Sequence, residues 1–185
     1  MTVIAGVAEK GLVVMGADSG SVLGEDEMTV VKSHKVWRRQ GWLMGFSGSW
    51  RVGNVLQRYL KPEPAPDTDK AIEVAVGGLA EQMQDIFRTH KVKHTDEHWD
   101  ALFGTHGNLY YIGVDLSWQQ IAQDKSKRRE SHYAIGSGGR EARAALSALA
   151  GMGVAPRKRI TRALNVAAEC NAYVRGPFKI LTLSQ

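Results

Sequence analysis

A threonine follows Met1, and removal of that single methionine, which threonine in second position normally permits, would make Thr2 the N-terminus. An N-terminal threonine carries a hydroxyl nucleophile and an α-amine on one residue. That amine has an ordinary pKa of about 8, so it can act as a built-in general base near neutral pH. With Met1 retained, the amine would be an amide and the base would be lost. Further on, Asp18 ends an apolar run, Lys35 lies in a β-prone stretch, and Gly45-Phe46-Ser47-Gly48 forms a Gly/Ser bend. A nucleophile, an acid and a lysine thus fall on successive extended segments. Each has a plainer explanation when taken singly: Asp18 before Ser19-Gly20 reads as a turn former, and Lys35 as a solvated strand lysine.

The elements that would position these residues are legible in outline. Val3 to Val7 and Leu12 to Asp18 are apolar runs parted by Glu9-Lys10-Gly11, which predicts a hairpin whose second strand is buried on both faces. A strand is expected over residues 30–37 and another from Trp42 into the Gly/Ser bend. Residues 53–60 read as a helix, stopped by Lys61-Pro62-Glu63-Pro64-Ala65-Pro66. Asp67-Thr68-Asp69 can cap a second helix over 70–88, with Ile72, Val76, Leu79, Met83, Ile86 and Phe87 on one face. Strands follow over 99–105, 108–115 and 118–123, then helices over 140–150 and 156–169, then a strand over 178–183. Gly136-Ser137-Gly138-Gly139 sits between a strand and a helix. It has neither the Gly-Lys-Ser/Thr ending of a phosphate loop nor the dinucleotide spacing, so a tight strand-to-helix turn explains it.

Thr2, Gly16-Ala17-Asp18, Lys35-Val36, Gly45-Phe46-Ser47-Gly48 and Ala134-Ile135-Gly136-Ser137-Gly138-Gly139 stand in an order that resembles proteasome β-subunits, and more closely the HslV-type peptidases. The resemblance runs from Thr2 to about Leu183. It implies one α+β domain over residues 1–185, folded as the four-layer αββα sandwich of N-terminal nucleophile hydrolases. It also implies a threonine peptidase working inside a self-compartmentalised ring, fed by an AAA+ ATPase. In that family's terms Thr2 would attack, Lys35 would favour the alkoxide-like form, and Asp18 would orient Lys35. Gly45 N–H would donate to the oxyanion, and Ser137 would hold the Thr2 amine. Lys35 requires a one-residue insertion after Asp18; without it the position falls on His34. Leu43 and Ser47 match positions lining the specificity pocket. Two departures matter: Ala172 and Arg175 stand where proteasome subunits carry an Asp and a Ser that support the amine. HslV-type enzymes lack that pair and use backbone carbonyls to hold a monovalent cation, here near Ala168, Asn171 and Val174. An inactive subunit that only builds the assembly is the alternative reading, and an amidohydrolase acting on a small amide is a third.

Composition bounds the rest. The formal net charge is +5, and much of the excess lies in Lys125-Ser126-Lys127-Arg128-Arg129 and Arg157-Lys158-Arg159. Neither cluster is interleaved with aromatics, so solvated ends or docking charges are expected and nucleic-acid binding is not. A single cysteine, Cys170, excludes an internal disulfide and fits a reducing cytoplasm. No apolar stretch is long enough to span a membrane, and no required cofactor or metal is expected. His90, His94 and His98 are spaced for one helical face, but Lys91, Lys93, Asp96 and Glu97 between them make a solvated helix end or loop the better reading.

Overall fold

The computed structural model describes residues 2–23, 27–123 and 130–184. The basic run at 125–129 lies outside the described residues. Three apolar cores define four layers. A four-stranded sheet, ordered β10-β1-β2-β11, faces a five-stranded sheet, ordered β5-β6-β7-β8-β9. The first consists of β1 (Ile4–Glu9), β2 (Leu12–Ala17), β10 (Glu130–Ile135) and β11 (Lys179–Ser184). The second consists of β5 (Val36–Arg39), β6 (Trp42–Gly48), β7 (Trp99–Thr105), β8 (Asn108–Ile112) and β9 (Trp118–Gln120). Helices α1 (Trp50–Tyr59) and α2 (Asp69–Thr89) cover the five-stranded sheet, while α3 (Gly139–Leu149) and α4 (Pro156–Cys170) cover the other. This is the expected αββα sandwich.

Strand β1 shows why the pattern works. Val3, Ala5 and Val7 pack against α3 and α4, whereas Ile4 and Ala8 point into the core between the sheets with Val13, Met15, Leu102 and Leu109. Both faces are buried, so the run is apolar without alternation. The β1–β2 turn uses Lys10 and Gly11, both with positive φ, the hairpin geometry that glycine supplies without strain. On the opposite side, Ile72, Val76, Leu79, Met83 and Phe87 of α2 share a core with Val52 and Leu56 of α1 and with Trp42, Met44 and Phe103.

Several boundaries differ from expectation. The strand expected over 30–37 is divided. Glu27–Val30 (β4) pairs with Gly20–Leu23 (β3) in a separate hairpin, and β5 begins only at Val36. Between them Val31 N is drawn to Ser19 O, which pulls this backbone away from the large sheet. Helix α1 starts earlier than expected because Ser49 Oγ accepts from Val52 N and caps it. Arg159, read as part of a solvated cluster, is 2% exposed and pairs with Glu9 and Glu130. Arg157 and Lys158 are exposed as expected.

Candidate active site

Thr2 sits at the open end of the sandwich, where β1 begins. Its main-chain N–H donates to Ser137 Oγ at 3.0 Å, and its carbonyl accepts from Ser137 Oγ and Gly138 N, each at 3.2 Å. Gly136 has φ +89°, and a Cβ there would stand 2.3 Å from Thr2 O, so glycine is what lets the β10–α3 turn close on this residue. Asn171, just past α4, donates its side-chain amide to Ser137 O at 2.9 Å. Thr2 and Ser137 are therefore fixed to one another from two sides.

Behind Thr2 lies a buried ion pair. Lys35 Nζ is 2.8 Å from Asp18 Oδ1, and the two side chains are 1% and 0% exposed. Asp18 Oδ1 also accepts from Val3 N at 3.0 Å, and Oδ2 from Gly20 N at 2.9 Å. The carboxylate thereby grips the residue next to Thr2. Burial pushes the Lys35 ammonium below its ordinary value of 10.5, an effect that the Asp18 charge and hydrogen bond oppose. The indole of Trp50, the first residue of α1, stands 5.9 Å from Nζ and donates to Ser21 Oγ at 2.8 Å. Of the two alternatives for this position, Lys35 meets Asp18, while His34 is exposed and offers only its carbonyl, to Gln57.

Two expected residues lie elsewhere. Leu43 is fully buried between the sheets and does not line the cleft beside Thr2. Gly45 sits mid-strand, where a Cβ would meet Ile4, Met15 and Val36, all residues of the inter-sheet core. Phe46 N donates to Lys35 O on the β5 side, so by antiparallel alternation Gly45 N faces β7 and its partner Leu102. That N–H belongs to the sheet ladder. Ser47 and Gly48, one short step along β6, do line the cleft. Gly48 N faces the same side as Phe46 N, past the end of β5, where no strand residue stands opposite.

The cleft measures about 520 Å³. Thr2, Ser47, Gly48, Gly136 and Ser137 form one side, and residues 95–100 with Val114 form the other. No motif announced the 95–100 wall, because its side chains become neighbours of Thr2 only once β6 and β7 pair. Gly48 was visible as the second glycine of Gly-Phe-Ser-Gly, but strand register decides which glycine reaches the cleft. His90, His94 and His98 do not share a helix: α2 ends at Thr89, His90 stacks on Tyr59, and His94 stacks on Phe87. Among the described residues no three His, Cys, Asp or Glu side chains gather to hold a metal ion. Nor is any helix among them long and apolar enough to cross a membrane.

No family model and no curated protein matches the sequence. Solved structures do match in fold. The Thiobacillus denitrificans BPH in complex with epoxomicin superposes with a TM-score of 0.75 at 18% identity over 100% of both chains. The eukaryotic HslV from Trypanosoma brucei gives 0.72 at 19% identity, again over 100% of both. Anbu, an ancestral β-subunit from Yersinia bercovieri, gives 0.73 at 12% identity over 99% of this chain and 82% of its own. At these identities the likeness shows a shared fold, the sandwich of proteasome-like subunits.

Proposed function

We propose that this chain is an N-terminal threonine peptidase, activated by removal of Met1. The observation that carries the reading is Thr2 at the head of a 520 Å³ cleft, held through its N–H by Ser137 and backed by the buried Lys35–Asp18 pair. In this mechanism Thr2 Oγ1 attacks the peptide carbonyl and gives its proton, directly or through water, to the freed α-amine. Lys35 places a positive charge near the developing alkoxide, and Asp18 keeps it there. Gly48, rather than Gly45, offers its N–H to the oxyanion, a contact of about 3 kcal/mol in acyl transfer. The C–N bond then breaks, the leaving amine takes the proton, and water hydrolyses the threonyl ester.

A monovalent cation is compatible with the turn after α4. The cation would be held by the Ala168, Asn171 and Val174 carbonyls; Asn171 O accepts from Val174 N at 3.1 Å and keeps a second lone pair for it. A cation there would steady the turn that carries Asn171 onto Ser137. Self-assembly into a ring, stacked and served by an ATPase unfoldase that delivers unfolded polypeptide in the cytoplasm, completes the proposal. It rests on the shared fold and the HslV-type resemblance. The competing reading, a ring-building subunit without catalysis, is favoured by Ala172 and Arg175, both exposed, where an amine-supporting pair would stand.

Intact mass before and after incubation with a peptide epoxyketone separates the two. Loss of Met1 plus one adduct, absent in Thr2→Ala, supports the peptidase. A mass that keeps Met1 and gains nothing sinks it.

A further inference from the structure

The wall facing Thr2 is acidic, and its chemistry points to a substrate class. Asp96, Glu97 and Asp100 all line the cleft. Asp100 is the best placed, because it is the register partner of Ser47 across β6 and β7. Directly opposed residues project from the same face with Cβ atoms about 5 Å apart, so Asp100 stands beside the Ser47 that borders Thr2. The Tyr111 hydroxyl donates to Asp100 Oδ1 at 2.7 Å and orients the carboxylate. Burial and that bond hold Tyr111 in its neutral form well above the ordinary phenol range. Among the described residues no donor takes the other Asp100 oxygen.

No lysine or arginine among the described residues lines the cleft to offset these charges. Lys35 is buried against Asp18, and Lys91 and Lys93 are exposed on the same loop but outside the cleft. His98 is the one basic side chain in the lining, set against three carboxylates. We infer that the cleft selects substrates with a lysine or arginine side chain beside the scissile bond, and that Asp100 decides this preference. The inference rests on the peptidase reading above.

The test uses two peptide epoxyketones, identical except for arginine or norleucine next to the ketone. Thr2 Oγ1 adds to the ketone and its amine opens the epoxide, so every reagent atom stays on the protein and intact mass reads the rate. At about pH 8 the arginine reagent should react about tenfold faster, the effect of one partly buried charge pair. Asp100→Asn, which preserves shape, should bring the two rates together, and Glu97→Gln should narrow the gap less. Equal rates in the wild type, or a gap unchanged in Asp100→Asn, overturn this inference and leave the peptidase reading standing. No adduct from either reagent defeats both.

Discussion

Lys35 is an ammonium held by the Asp18 carboxylate and the Gly20 carbonyl, and its stability signature has a definite sign. Its folded pKa lies below 10.5, so between that lowered value and 10.5 the unfolded chain binds more protons than the folded one. Stability carried by this group therefore rises with pH through that window. Urea titrations of the wild type should show a positive pH slope there that the double variant Asp18→Asn/Lys35→Met lacks. Equal slopes would mean that Lys35 is not desolvated. Removing Lys35 alone leaves Asp18 buried and uncompensated, a loss of about 3–5 kcal/mol. Gly48 makes a second prediction at this scale. With φ +87° and a would-be Cβ 1.9 Å from His98 O, Gly48→Ala must shift the β6–α1 bend. We expect it to abolish epoxyketone labelling while the far-ultraviolet circular dichroism stays native; full labelling would remove Gly48 from the mechanism.

At the scale of elements, α1 shows how packing overrides propensity. Gly53 lies mid-helix, where alanine ordinarily stabilises by about 1 kcal/mol. Here its would-be Cβ falls 2.0 Å from the Phe46 ring, so the helix is seated on β6 through that glycine. Gly53→Ala should lower stability by about 2 kcal/mol, and Phe46→Leu should recover much of the loss in the double variant. Additive losses would refute the contact. The same element shows what sequence could and could not reveal. The helix face of α2 and the two-sided burial of β2 were readable because periodicity and hydrophobicity are local properties. The β3–β4 pairing was not, because the Val31 N to Ser19 O bond that continues it joins backbone groups and leaves no mark in residue type. Nor could the pattern separate Gly45 from Gly48: both are glycines of one strand, and only the register with β5 and β7 determines which N–H the sheet consumes.

Across the whole molecule, β1 joins two ends with opposite demands. At its start Thr2 opens onto a cleft; at its finish Glu9 pairs in register with Glu130, two carboxylates directly opposed. Like charges so placed repel. Arg159 of α4 resolves this by bonding both, Nη2 to Glu9 at 2.7 Å and Nη1 to Glu130, and so bolts the closed end of the sheet to its helical layer. Six strand residues at about 3.3 Å each separate this clasp from the cleft by roughly 20 Å. Arg159→Met should therefore cost about 3–5 kcal/mol in urea unfolding, since it leaves Glu9 without its cation and the buried Glu130 with only His132, 3.5 Å away. The rate of epoxyketone labelling by the folded fraction should be unchanged at that distance. Replacing all three residues with Glu9→Leu, Glu130→Leu and Arg159→Met should restore most of the loss, because an apolar trio has no charge to leave unpaired. If the single variant is as stable as the wild type, the clasp contributes nothing. If the single variant instead labels more slowly at equal folded fraction, strain at the closed end reaches Thr2 and the two ends of β1 are coupled.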